Sequence, residues 1–98
     1  MKSNTGIQRD GSSKDKAILM SGDYETLIKR EYEKLSEMLG VSGVDWVRFG
    51  VGLLDDSNGF HDEFHIILSN GEQKRVFFEI TEPFRQMQKA NRMAERGM

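Results

Sequence analysis

The stretch from Val44 to Thr81 decides the fold and reads VDWVRFGVGLLDDSNGFHDEFHIILSNGEQKRVFFEIT. Apolar and other side chains alternate over residues 44–54, 60–69 and 75–80, and a period of two is typical of β-strands that bury one face. Short segments rich in Asp, Ser, Asn and Gly separate the three runs. The stretch therefore predicts three antiparallel strands joined by two short turns, with the second strand in the centre.

The apolar faces of these strands fix their register, because paired residues point to the same side of a sheet. A three-residue loop, 69–71, keeps the faces aligned if Gly71 is left-handed, and an even-numbered loop at 56–59 does the same for the first turn. The residues expected to point inward are Val47, Phe49, Val51, Leu53, Phe60, Phe64, Ile66, Leu68, Val76, Phe78 and Ile80. The expected neighbours are Phe49 with Ile66, Phe64 with Val76, and His65 with Gly50 and Arg75.

Helices are predicted before and after the strands. Apolar residues from Tyr24 to Leu39 follow helical spacing, with Asp23 as N-cap and Gly40 as the C-terminal glycine. The second helix is expected to begin near Pro83 and to extend toward Gly97. The order predicts a single small α+β domain, α-β-β-β-α, in which a three-stranded antiparallel meander packs against two helices on one face.

The composition of the chain predicts its domain boundaries and its location in the cell. The chain has 98 residues, a net charge of −2 and no cysteine. Residues 1–16 lack apolar periodicity and are expected to form a flexible N-terminal arm, with residues 17–98 as the single domain. The apolar patch Ala17–Met20 fits either the sheet edge or the underside of the first helix. The absence of cysteine and of an apolar run near the roughly 20 residues of a membrane span favours a cytoplasmic protein without a membrane partner.

With both helices on one face, the other face of the sheet is expected to be open. Aromatic rings beside arginine and histidine, above a strip that contains Gly50 and Gly52, are typical of an interaction surface. A protein partner is therefore expected there. The predicted contact residues are Trp46 and Phe77 as apolar anchors, with Arg48, His61, Glu63, His65 and Arg75 as polar contacts. Two other accounts remain open: residues 1–20 fold back over this face, or two copies stack through it as a homodimer.

Two histidines flank two acidic residues in the segment His61-Asp62-Glu63-Phe64-His65, which makes it a candidate metal site. On a strand the two imidazoles would lie about 13 Å apart, at roughly 3.3 Å per residue, which is too far to share one ion. The sequence also lacks a phosphate-binding glycine loop, a Gly-x-Ser-x-Gly elbow and a cysteine nucleophile. No metal, cofactor or enzymatic activity is expected. A small enzyme that uses His61, Glu63 and His65 is kept as the second alternative.

The predicted second helix carries a stripe of basic residues that fits phosphate or an acidic partner: Arg85, Lys89, Arg92 and Arg96. The α-β-β-β-α order resembles the double-stranded RNA-binding domain, in which a histidine-bearing turn precedes the second strand, as Gly59-Phe60-His61 does here. The chain departs from that family where a lysine cluster opens the second helix, since Phe84, Gln86 and Met87 stand there. The resemblance implies double-stranded nucleic-acid binding as the alternative function.

The leading hypothesis is a small non-enzymatic protein that binds another protein through the open sheet face. In size and composition the chain resembles the inhibitors and adaptors that phages and mobile elements encode. Nucleic acid is the less favoured partner, because the middle of the chain is acidic and basic residues are concentrated toward the two ends.

Overall fold

The computed structural model describes residues 9–57 and 59–96. The elements follow the order β1 (Ile18–Leu19), α1 (Leu27–Leu39), β2 (Trp46–Asp56), β3 (Gly59–Leu68), β4 (Gln73–Glu79) and α2 (Thr81–Arg96). The predicted small α+β domain is confirmed. The predicted arm falls only partly within this description, since residues 1–8 lie outside it, as does Gly97, the expected end of the second helix.

The sheet has four strands rather than three, in the order β1-β4-β3-β2. The three predicted strands form the expected antiparallel meander with β3 between its neighbours. The fourth strand, β1, runs parallel to β4 with Ile18 opposite Phe78, so the sheet is mixed. Two residues are too few to show a period, which is why the sequence could not choose between the sheet edge and the first helix for this patch.

The β3–β4 hairpin follows the predicted register. Phe64 pairs with Val76 and His65 pairs with Arg75. The turn is the predicted three-residue loop: the Leu68 amide donates to the Glu72 carbonyl at 2.8 Å, and Gly71 has a positive φ of 89°. A left-handed residue at this position is what glycine supplies at low cost, so the turn chemistry sets the register of the hairpin.

The β2–β3 hairpin contains a β-bulge that the sequence pattern does not reveal. Gly50 pairs with His65 as predicted, but Arg48, and not Phe49, pairs with Ile66, because the register shifts between Arg48 and Gly50. One extra residue in a strand reverses the faces of all residues beyond it. The pairing continues to Asp56 opposite Gly59, so both strands extend into the segment 56–59 that was predicted as the loop.

The bulge carries Trp46 into the core and makes its predicted place on the open face wrong. Trp46 is 1 % exposed, stacks on Tyr32 with 6.0 Å between ring centroids, and donates from Nε1 to the Gly40 carbonyl at 2.9 Å. Arg48 belongs to the same face, with its guanidinium 5.8 Å from the Tyr32 ring. The buried apolar core comprises Ile18, Met20, Leu27, Leu35, Trp46, Phe64, Ile66, Val76, Phe78 and Ile80.

Both helices pack on one face of the sheet, as predicted. Tyr32 of α1 contacts Phe64 edge-on at 5.9 Å, and Phe84 of α2 lies 4.4 Å from Phe60. Phe60 and Phe64 are four residues apart in β3 and therefore share a side of the pleat. Phe84 also meets Tyr24 at 5.8 Å, which joins the start of α2 to the segment before α1.

The predicted helix boundaries are partly correct. Gly40 ends α1 with a φ of 107°, and its amide donates to the Ser36 carbonyl at 3.0 Å. The predicted N-cap was wrong, because α1 begins at Leu27 and Asp23 instead accepts a hydrogen bond from the Thr26 amide, which closes a turn before the helix. Within residues 9–57 and 59–96, no helix combines the length and apolar character that crossing a membrane requires.

Candidate functional site

One face of the sheet carries neither helix, and we call it the helix-free face. The strand register defines it, because paired residues share a side. Its residues are Val47, Phe49, Gly50, Gly52 and Leu54 of β2, His61, Glu63, His65 and Ile67 of β3, and Gln73, Arg75, Phe77 and Glu79 of β4. The structure thus brings together five of the seven residues predicted as partner contacts and leaves out Trp46 and Arg48.

Phe49 takes the exposed aromatic position that the sequence assigned to Trp46. It was predicted to point inward, yet it is 52 % exposed and its ring meets His65 edge-on at 5.7 Å. The bulge is the physical reason, since it places both Phe49 and Gly50 opposite His65. A glycine within a strand often marks a bulge, so Gly50 was the one signal in the sequence that could have indicated this reversal.

A cluster of charged groups lies at the centre of the helix-free face. Arg75 Nη1 donates to Glu63 Oε2 at 2.5 Å, and His65 Nε2 lies 3.7 Å from the same oxygen. The Arg75 guanidinium also stands 5.9 Å from the centroid of the Phe77 ring. Glu63 is nearly buried while Arg75 remains exposed, so the carboxylate orients a guanidinium that is still accessible to a partner.

A groove opens beside this cluster. Its volume is about 360 Å³, and it is lined by Phe49, His65, Gln73, Lys74 and Arg75. Arg75 gives the lining a positive charge and Phe49 gives it an apolar wall, whereas the side chain of Lys74, which pairs with Ile66, belongs to the helix-covered side of the sheet. Such a groove is suited to an acidic side chain flanked by an apolar one.

Glycines form the floor next to the groove. A side chain built at Gly52 would meet nothing within 4 Å, and a Cβ at Gly50 would lie 3.7 Å from His65 Cβ. Because no side chain stands above Gly52, a partner can approach the backbone of β2 closely there, whereas the His65 side chain flanks Gly50. The expected close approach therefore applies at Gly52 and not at Gly50.

The opposite end of the helix-free face is covered by residues from the predicted arm. Lys14 forms an ion pair with Asp56, and Arg9 Nη1 lies 3.5 Å from Glu79 Oε1. The Phe77 amide donates to the Gly11 carbonyl at 2.8 Å, which extends the hydrogen bonding at the edge of β4. His61 lies at this end and is only 2 % exposed, so it is unavailable to a partner in this arrangement. The described part of the arm therefore covers the His61 end and leaves the groove open.

On the helix-covered face, Glu31 is buried in α1 near Asp62 of β3. Glu31 is 0 % exposed, and its carboxyl oxygens have no hydrogen-bond partner among the described residues. Burial, reinforced by the Asp62 carboxyl, raises the pKa of Glu31 to about 9, and burial also raises the pKa of Asp62. The sequence signal for the burial of Glu31 is its position between Leu27 and Leu35, at helical spacing on the buried side of α1.

The residues described offer no metal site and leave the basic stripe exposed. No group of three or more histidine, aspartate or glutamate side chains in 9–57 and 59–96 is placed to hold an ion. Arg85, Lys89 and Arg92 lie exposed along α2, and none of the described carboxylates pairs with them. The side chain of Arg96 lies outside the described part of the chain.

Comparison with protein-family models, with curated proteins and with solved structures finds no match to this chain in any of the three.

Proposed function

We propose that the chain is a non-enzymatic protein-binding domain that holds its partner in the groove of the helix-free face. The observation that supports this most directly is the half-exposed Phe49 ring beside the accessible guanidinium of Arg75. Large apolar side chains next to arginine are the combination that dominates binding energy at protein interfaces. The roles of inhibitor and adaptor both fit such a domain.

The charges around the groove indicate an acidic partner segment. The exposed guanidinium of Arg75 lines one wall, whereas the single carboxylate of the cluster, Glu63, is nearly buried below it. An incoming carboxylate would pair with the guanidinium edge of Arg75 that Glu63 leaves exposed. An apolar side chain next to it would cover Phe49 and Val47, which are both about half-exposed.

Nucleic-acid binding through α2 is the second proposal. It is supported by the exposed guanidinium and ammonium groups of Arg85, Lys89 and Arg92, which no described carboxylate neutralises. Phosphate contacts of this kind make affinity fall steeply with salt. The two proposals place the partner on different surfaces and can be tested separately.

The experiment compares two double variants as bait for partners from the native host. Phe49→Ala with Arg75→Glu removes the apolar wall and reverses the charge of the groove, and it should weaken capture by more than about tenfold. Arg85→Glu with Arg92→Glu is the matched control, because it also changes exposed charges but on α2. Melting temperatures of both variants should stay close to that of the parent chain, since all four side chains are exposed.

Direct titration then decides between the proposals. A partner recovered by the parent chain should bind the groove variant weakly and the α2 variant normally, as measured by calorimetry. Duplex DNA and RNA should give no salt-dependent binding to any of the three proteins. The opposite pattern, with binding lost only in the α2 variant, would contradict the groove proposal and support nucleic acid or an acidic partner on α2.

A further inference from the structure

The outer edge of β2 is long and carries few charges. The strand has 11 residues and lies at the end of the strand order, with only β3 beside it in the described sheet. One isolated bridge, from Ser42 to Trp46, touches its first residue. From Phe49 to Leu54 the strand contains no charged side chain. Natural proteins usually protect such an edge with charges, because its free backbone groups are a template for another strand.

Exposed apolar side chains lie on both faces of this edge. Val47 and Phe49 belong to the helix-free face, but Val51 and Leu53 belong to the helix-covered face and are still 44 % and 50 % exposed. A partner in the groove would cover only the first pair. A strand added along the β2 edge would cover part of all four, because it would place side chains on both sides of the sheet.

We propose that a second copy of the chain occupies this edge, with the two β2 strands antiparallel about a two-fold axis at Gly52. Antiparallel pairing of identical strands is isologous and closes after two copies, which limits further growth. Gly52 would face itself and Val51 would face Leu53 of the second copy. No side chain would crowd the axis on the helix-free face, because nothing lies within 4 Å of a Cβ at Gly52.

Charge complementarity selects this register. With a two-fold axis at Gly52, Gly50 lies opposite Leu54 of the second copy. Because Phe49 is the extra residue of the bulge and takes no partner, the next pair is Arg48 with Asp55 of the second copy, and both side chains lie on the helix-covered face. An axis at Val51 would set Arg48 opposite Leu53 instead, and an axis at Leu53 would leave it beyond the end of the partner strand. The register at Gly52 therefore forms two opposite-charge pairs, one on each side of the axis.

The resulting dimer joins two four-stranded sheets into one. A two-fold axis perpendicular to the sheet leaves both helix-free faces on the same side, so both grooves face the same direction. The dimer does not depend on what the grooves bind. This edge-to-edge dimer also differs from a homodimer that stacks through the open sheet face, because face-to-face stacking would close the grooves.

Light scattering on the full chain tests the dimer. The parent chain should have twice the mass of the 11.2 kDa monomer. Gly52→Lys places like charges opposite each other at the axis and should weaken dimerisation by more than about tenfold without unfolding the chain, since the position is open and its φ suits any residue. Val44→Lys is the matched control: Val44 is exposed next to the strand but outside the pairing, so its dimer should persist.

Two further variants test the register. Because the chain has no cysteine, Gly52→Cys introduces a single thiol, which should form a disulfide with its symmetry mate since facing Cα atoms lie about 4.5 to 5.5 Å apart. Val44→Cys should remain uncross-linked. Arg48→Glu should weaken the dimer, and adding Asp55→Arg should restore it. The dimer proposal is overturned if the parent chain is monomeric, if Gly52→Lys leaves the dimer intact, or if the two cysteine variants cross-link equally. A monomer that still binds a partner in the groove would contradict the dimer but not the proposed function.

Discussion

The two faces of the sheet differ most clearly at two aromatic residues of the same strand. Trp46 and Phe49 are three positions apart in β2, yet Trp46 is stacked on Tyr32 under α1 while Phe49 lies beside His65 with half of its surface exposed. Both rings are large and apolar, so residue type does not explain their different surroundings. The bulge between Arg48 and Gly50 does, because it assigns one ring to the core and the other to the surface.

The comparison separates residues that stabilise the fold from residues that remain available for binding. On the helix-covered face, rings contact rings, as Phe64 does with Tyr32 and Phe78. On the helix-free face, rings contact His65 and Arg75, whose charges and hydrogen-bonding groups favour contact with water or a partner. Substitutions on the first face should therefore lower stability, and those on the second should alter binding.

The largest expected effect comes from truncating the two rings of β2. Trp46→Ala should lower the free energy of unfolding by about 3 to 5 kcal/mol, because it leaves a cavity under α1 and removes the hydrogen bond to the Gly40 carbonyl. Phe49→Ala should lower it by less than about 1 kcal/mol, since half of the ring is already in water. Chemical denaturation of the two variants checks the difference, and equal losses would show that both rings lie in the core.

The next effect concerns the ionisation of Glu31 beneath α1. The folded-state pKa of about 9 lies above the ordinary value of 4.5, so the folded chain holds a proton that the unfolded chain releases. Stability from this group is fully present below about pH 4.5 and is lost as the pH rises toward 9, with Asp62 acting in the same direction.

Glu31→Gln keeps the shape of the side chain without its ionisation. Its free energy of unfolding should therefore change much less between pH 5 and 9 than that of the parent chain, which should fall by a few kcal/mol, since each unit of pKa corresponds to about 1.4 kcal/mol. Glu33→Gln, on the exposed side of α1, is the matched control and should keep the parent slope. A parent chain with flat stability over this range would contradict the burial of Glu31.

A smaller effect on stability is expected from alanine substitution of two glycines, Gly71 in the β3–β4 turn and Gly52 within β2. Gly71→Ala should cost about 1 to 2 kcal/mol, because its φ of 89° is left-handed although nothing crowds the position. Gly52→Ala should change the free energy of unfolding by less than about 0.5 kcal/mol, since its surroundings are equally open and its φ is ordinary. Thermal melts of both variants measure this, and a larger loss at Gly52 would reverse the assignment.

The smallest effect is expected from the ion pair on the helix-free face. Arg75→Ala should lower the free energy of unfolding by no more than about 1 kcal/mol, because the guanidinium is mostly exposed and water screens its pairing with Glu63. Salt titration of the melting temperature should show little difference between this variant and the parent. A loss of several kcal/mol would indicate that the pair holds the sheet together rather than orienting Arg75 for a partner.

Most of the fold could be predicted because local rules determine it. Alternation located the three long strands, Gly71 fixed the β3–β4 register, and Gly40 marked the end of α1. The parallel strand β1 could not be predicted, since two residues carry no period and pairing with β4 depends on contacts distant in sequence. Asp23 was misplaced as an N-cap because it closes a separate turn before the helix.

The candidate site was predictable in part for the same reasons. The positions of Glu63, His65 and Arg75 followed from the hairpin register. Phe49 and Trp46 exchanged places because a single inserted residue leaves composition and turn signals unchanged while reversing the faces of the strand. His61 lies at the end of the face where residues 9–16 pair with Asp56 and Glu79, and those residues show no periodicity that could indicate where they pack.

The fluorescence of Trp46 tests the assignment of the two faces most directly, because it is the single tryptophan of the chain. With the indole 1 % exposed and stacked on Tyr32, the native protein should emit at short wavelength and resist quenching by acrylamide and iodide, and both protections should disappear on unfolding. Phe49→Ala should leave this protection unchanged. A native protein whose tryptophan emits at the wavelength of the unfolded chain and is quenched as readily would place Trp46 on the helix-free face and contradict the account.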